Sequence, residues 1–120
     1  MEVVSSKGPV MPAQAHYCMG YITAPSAEEA KAIGKALVEH KLVACANVFS
    51  PVQSIYRWEG AVETSEEAVL LVKTSSALQE KISHFVKALH SYSTPCVVFY
   101  TMENGEPAYL KWLSQSLTAE

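Results

Sequence analysis

The stretch from Leu42 to Lys73 constrains the fold more than any other part of the chain. It begins with an almost unbroken apolar run from Leu42 to Phe49, becomes polar and aromatic after Pro51, and returns to an apolar run from Val69 to Val72. Apolar runs without alternation indicate strands that are buried on both faces, and Glu59-Gly60 is a turn signal between them. The stretch therefore predicts a long, bent β-hairpin whose middle carries aromatic and charged side chains.

Two amphipathic helices and two further strands flank this hairpin. Ser26 with Glu29, and Ser76 with Gln79, have the spacing of capping boxes that begin a helix, and apolar residues recur at helical spacing after each pair. Strands are predicted over 17–23 and 96–100, and a short last helix begins at Pro107. This order predicts an α+β fold, a ferredoxin-like β-α-β-β-α-β sandwich with both main helices on one face of a four-stranded sheet.

The strands of this sandwich predict an assembly. Two helices cover one face of the sheet, yet the predicted strands are apolar on both alternating sets of side chains. An uncovered second face is an apolar patch larger than monomers usually tolerate. We therefore expect other copies of the chain to bury this face in a closed, symmetric oligomer.

Size and charge limit the other possibilities. With 120 residues the chain has the length of one domain, which we place at residues 16–120, after a loose tail at residues 1–15 that contains Gly8, Pro9 and Pro12. The net charge of −3 and the absence of a Lys or Arg cluster argue against nucleic acid as a partner. No apolar run is long enough to predict a membrane span.

The cysteines indicate a reducing compartment. Cys18, Cys45 and Cys96 are odd in number and far apart, so they predict neither a disulfide framework nor a zinc site, but free and mostly buried thiols. We therefore expect a cytoplasmic protein. The alternative is an organelle, with the N-terminal tail as the remnant of a processed targeting segment.

In several segments along the chain the sequence resembles the CutA family of divalent-cation tolerance proteins. The similar segments are TAPS at 23–26, LVACANV at 42–48, SIYRWEGAVE at 54–63, VKT at 72–74, TP at 94–95 and NG-x-P-x-YLKWL at 104–113, together with Glu67 and the H-x-Y of His90 and Tyr92. The resemblance covers roughly residues 17–117. It implies ferredoxin-like subunits that close into a tight homotrimer, similar in architecture to the PII signalling proteins, and a role connected with copper or another divalent metal.

The resemblance also implies where a metal would bind. Family members proposed to bind copper carry Cys directly before the TAP segment and Glu directly after the TP pair, where this chain has Ile22 and Cys96. Imidazole and thiolate suit Cu(II) or Zn(II), so His90 and Cys96 are the candidate ligands. The alternative is a purely structural role, in which His90 caps a helix and Cys96 begins a buried strand.

A second candidate site is a surface or cleft between subunits. Large rings with one polar atom are typical interface anchors, and a cleft between subunits could instead present them with charged groups to a small polar ligand. The candidate residues are Tyr56, Arg57, Trp58, Glu63, Glu67, Lys73, Tyr92, Tyr109 and Trp112.

Catalysis is not indicated. Acyl phosphate chemistry on a similar fold needs an arginine near the end of the first strand, whereas the only arginine, Arg57, lies in the hairpin. No Ser-His-acid or Cys-His set follows from the spacing. We expect a protein that is not an enzyme, and the alternative to a metal role is a metal-free trimeric scaffold or a PII-like module that binds a small ligand.

Overall fold

A computed structural model describes residues 16–119 of the chain, so the predicted tail at residues 1–15 lies outside the described residues. The elements are β1 (Tyr17–Ala24), α1 (Ala27–Glu39), β2 (Cys45–Trp58), β3 (Ala61–Ser75), α2 (Gln79–Leu89), β4 (Val97–Met102) and α3 (Pro107–Gln115). The strands form one antiparallel sheet in the order β2-β3-β1-β4. This is the ferredoxin-like order, so the predicted α+β fold is confirmed.

The helices α1 and α2 pack on the same face of the sheet. Ile33 and Leu37 of α1 and Ile82 of α2 belong to one buried cluster with Ile22 of β1 and Leu70 of β3. This burial is the main stabilising contribution, at roughly 25 cal/mol for each Å² of apolar surface removed from water. None of the helices among residues 16–119 is long and apolar enough to cross a membrane.

The helix starts differ from the sequence prediction. Ser26 caps α1 as predicted, because its Oγ accepts a hydrogen bond from the Glu29 N–H at 3.1 Å. The second capping box is wrong. Residues Ser76–Leu78 form a 3-10 turn, α2 begins at Gln79 without a side-chain cap, and the Gln79 amide instead donates to the Cys18 sulfur at 3.3 Å.

The hairpin extends beyond the sheet as an arm, which we define as residues 52–67. Here β2 and β3 pair only with each other, because β1 pairs with β3 from Ala68 onward. The register shifts between Phe49 and Val52, where the sequence predicts the bend. At the tip Glu59 and Gly60 both have positive φ, 50° and 85°, as a two-residue hairpin turn requires.

The face of the sheet opposite α1 and α2 is apolar, and among residues 16–119 only part of α3 lies against it. We call it the open face. Phe49, Val98 and Tyr100 lie on it, with 52%, 42% and 60% of their surface exposed. Apolar side chains therefore lie on both faces of the strands, as predicted, but within residues 16–119 several on the second face remain exposed.

One buried polar group offers a test of the core. The side chain of Thr74 is fully buried in β3, and its Oγ1 donates to the Leu42 carbonyl at 2.7 Å. Thr74→Val keeps the shape and removes the donor, so we expect unfolding to become easier by about 1–3 kcal/mol. Thr101→Val, at an exposed position, is the control and should change stability by less than about 0.5 kcal/mol. Urea unfolding at equal protein concentration measures both, and equal midpoints for the two variants would contradict the prediction.

Candidate functional site

His90 links three segments at the end of the sheet where the arm begins. It ends α2, and its Nε2 lies 2.7 Å from the backbone carbonyl of Thr23 in β1. The other ring nitrogen, Nδ1, accepts the Tyr92 N–H at 3.0 Å. A neutral ring with its proton on Nε2 satisfies both bonds, so both nitrogens of this buried imidazole are engaged.

Glu29 of α1 fastens the loop that follows His90. Its carboxylate accepts the Ser91 N–H at 2.8 Å and the Ser91 hydroxyl at 2.9 Å. The same oxygen lies 3.4 Å from Nδ1 of His90. The side chain that the sequence assigns to a capping box therefore holds the loop against the start of α1.

Tyr92 joins this loop to the arm. Its hydroxyl donates to the Glu67 carboxylate at 2.7 Å. Burial, together with the hydrogen bond to the negative Glu67, raises the pKa of Tyr92 to about 12. The hydroxyl thus keeps its proton at neutral pH and remains a donor to the carboxylate.

Beside this bond lies a pocket of about 350 Å³ that we call the aromatic pocket, lined by Tyr56, Trp58, Glu67 and Tyr92. Val52 pairs with Glu67, and Tyr56 pairs with Glu63, so side chains of alternate residues share one side of the arm. The pocket is open to solvent, because 61% of Trp58 and 43% of Tyr56 are exposed.

Other predicted cleft residues form a separate cluster at the other end of β3. The ammonium of Lys73 lies 5.6 Å from the centre of the Tyr109 ring, and the Tyr109 hydroxyl is 3.6 Å from the sulfur of Cys45. The Trp112 ring packs beside Tyr109, with centroids 5.4 Å apart. Burial acts to lower the pKa of Lys73, but the neighbouring Cys45 and Tyr109 outweigh it and raise that pKa.

The structure therefore divides the predicted cleft into two parts. Ten residues of extended strand, about 30 Å, separate Glu63 from Lys73, so one chain cannot bring them to one ligand. Arg57 lies on the other side of the arm from Tyr56, and its guanidinium donates to the Gly60 carbonyl at 3.5 Å. The sequence predicts no site role for Glu29, Ser91 or Cys45. It marks Glu29 only as a capping partner and Cys45 only as a free thiol, and no local pattern marks Ser91.

The predicted metal ligands do not form a ready site. His90 has both ring nitrogens in hydrogen bonds to the backbone. Cys96 is exposed and precedes β4, so its interpretation as the buried start of a strand is wrong. The expectation of mostly buried thiols is wrong as well, because Cys18 is buried, Cys45 is half-buried and Cys96 is exposed. Within residues 16–119 no three His, Cys, Asp or Glu side chains group closely enough to hold a metal ion. These residues do not fit a metal centre within one chain.

The comparisons with known proteins agree on one family. The model of the CutA1 divalent ion tolerance protein family matches residues 18–116. The divalent-cation tolerance protein CutA of Archaeoglobus fulgidus is 44% identical over 97 residues, which are 81% of this chain and 94% of that protein. The Thermus thermophilus protein of the same name is 45% identical over 95 residues, 79% of this chain and 92% of that one. The chloroplastic protein CutA of Arabidopsis thaliana is 36% identical over 96 residues, 80% of this chain and 53% of that protein.

Solved structures give the same result. The structure described as the periplasmic divalent cation tolerance protein CutA from Archaeoglobus fulgidus superposes with a TM-score of 0.81 at 43% identity, covering 83% of this chain and 97% of that one. CutA1 from Oryza sativa superposes with a TM-score of 0.86 at 33% identity, covering 88% of this chain and 96% of that one. The family match spans most of the chain, and the fold agrees with it. The chain belongs to the CutA1 family of divalent ion tolerance proteins.

Proposed function

We propose that this chain is a homotrimeric binding protein that takes part in the response to divalent metal ions. The open face is the observation that carries the proposal. Large apolar side chains such as Phe49 of β2 and Tyr100 of β4 lie exposed on this face. The arm exposes two more on its other side, Ile55 and Val62, by 71% and 66%. A surface of this kind is buried when copies associate. The metal role is supported by the names of the relatives.

The second candidate is a trimeric scaffold, or a module that binds a small ligand, without a metal role. The scarcity of metal ligands in residues 16–119 supports it, since His90 is engaged and Cys96 has no neighbouring group of ligands. Copper or zinc binding by the trimer would therefore depend on Cys96 and on groups that other copies bring to it.

Two further expectations belong to this proposal. We expect a protein without catalytic activity, an expectation supported by Arg57, which donates to the Gly60 carbonyl at the arm tip and does not line an anion-binding loop near the first strand. A cytoplasmic location stays a prediction, because two relatives are named chloroplastic and one solved structure is described as periplasmic.

The assembly can be tested through the open face. We expect light scattering to show one trimeric species that persists at low micromolar concentration, because obligate interfaces bury roughly 2,000 Å² or more. Tyr100→Glu places a charge on the open face and should dissociate the trimer. Thr101→Glu places the same charge on the opposite side of β4 and should leave the trimer intact. A stable monomer for the unmodified protein would reject the proposal.

The arm residue Trp58 is proposed as an interface anchor. Removing a central aromatic residue costs an interface roughly 2 kcal/mol or more. Trp58→Ala should therefore raise the protein concentration below which the trimer dissociates and lower its thermal stability, as measured by sedimentation and calorimetry. Leu89→Ala removes a comparably exposed apolar side chain from α2 and serves as the control. An intact, equally heat-stable trimer for Trp58→Ala would exclude the anchor role.

Metal binding can be tested by calorimetric titration with Cu(II) and Zn(II) at neutral pH. We expect weak binding that is lost in Cys96→Ser, because no other exposed thiol occurs among residues 16–119. Cys18→Ser, at a buried thiol, is the control and should bind as the unmodified protein does. Tight copper affinity that is unchanged in Cys96→Ser would show that the ligands lie elsewhere. Absence of any binding by the unmodified, intact trimer would favour the metal-free scaffold.

A further inference from the structure

The residues that line the aromatic pocket favour a ligand of one charge. Three of its four walls are the aromatic rings of Tyr56, Trp58 and Tyr92, and the fourth is the carboxylate of Glu67. The face of an aromatic ring is electronegative and attracts cations, most strongly when the ring is an indole. Walls of this composition favour a positively charged ligand over a neutral or an anionic one.

The groups around the pocket add to this preference. Glu63 pairs with Tyr56 across the arm, on the same side as Glu67, so a second carboxylate lies along the surface that leads to the pocket. The nearest basic residue in the arm sequence, Arg57, lies on the opposite side and donates to Gly60. No lysine or arginine lines the pocket.

The walls are also held in place before any ligand binds. Tyr92 donates its hydroxyl to Glu67 at 2.7 Å, and Tyr56 donates its hydroxyl to Ser65 at 3.3 Å. The loop that carries Tyr92 is fixed in turn by Ser91 on Glu29. A pocket with fixed walls loses less conformational entropy when a ligand binds.

The pocket does not suit a bare metal ion. A divalent ion requires several oxygen, nitrogen or sulfur ligands, whereas the pocket offers one carboxylate, already bonded to Tyr92, and ring faces. A quaternary alkylammonium group has no N–H and needs no such ligands. Its charge is spread over carbon-bound hydrogens that pack against rings, and its low cost of desolvation suits an apolar wall.

We propose that the aromatic pocket of Tyr56, Trp58, Tyr92 and Glu67 is a binding site for an organic cation of the quaternary alkylammonium class. The rings contact the methyl groups, and the Glu67 carboxylate balances the charge. All four residues come from one chain, so the site does not depend on the metal role or on the trimer.

The test uses choline as the probe and 3,3-dimethylbutan-1-ol, its neutral isostere of nearly the same shape, as the matched control ligand. Both are titrated into the full-length protein, with sodium chloride added to equalise ionic strength. We expect choline to bind at least about tenfold more tightly than the isostere, which is the scale of a partly desolvated cation–π contact. The indole N–H resonance of Trp58 should shift, whereas that of Trp112, outside the pocket, should not.

Two variants distinguish the contribution of the Glu67 charge to choline binding from a general effect on the structure. Glu67→Gln keeps an acceptor for the Tyr92 hydroxyl and removes the charge, so we expect choline to bind about fivefold more weakly. Glu66→Gln makes the same change on the neighbouring residue, whose side chain lies on the opposite side of β3, and should bind choline normally. Equal affinity for choline and the isostere, or unchanged choline affinity in Glu67→Gln, would overturn the proposal. So would a shift of Trp112 in place of Trp58.

Discussion

The structure depends on the length of β3, because this one strand belongs to two different environments. Its second half, from Ala68 to Ser75, pairs with β1 and supplies one wall of the core. Its first half leaves the sheet and pairs with β2 alone. Two paired strands are marginal in water without a hydrophobic face to bury. The arm is therefore the part of the molecule that most needs additional contacts, and the bond from Tyr92 to Glu67 is one that the chain itself provides.

The two faces of the sheet differ in how far they are buried. The helix face is complete within one chain, since α1 and α2 fill it with buried aliphatic side chains. The open face is completed by nothing within residues 16–119 except part of α3, whose Tyr109 lies beside Lys73. In the proposed trimer, folding and association are linked for that reason, because the second face gains its apolar burial from the contact between copies.

The sequence predicts the fold well because the fold follows from local patterns. The hairpin turn at Glu59-Gly60, the cap at Ser26 and the start of α3 at Pro107 are each encoded within a few residues. The site is predicted less well, because it depends on contacts between distant residues. Glu29 has the spacing of a capping partner, yet Ser91, which is far away in sequence, offers it two donors. The sequence predicts a single cleft, because no local pattern reveals that Glu67 and Lys73 belong to different clusters.

The walls of the aromatic pocket come from two segments with different attachments. Trp58 belongs to the arm, beyond the shift in register at Phe49, whereas Tyr92 belongs to a loop that is tied to α1 through Ser91 and Glu29. A molecule held between these rings spans the joint between arm and body, and so fixes the angle at which the arm leaves the sheet. Ligand binding then favours one angle of the arm, and that angle favours ligand binding by the same free energy.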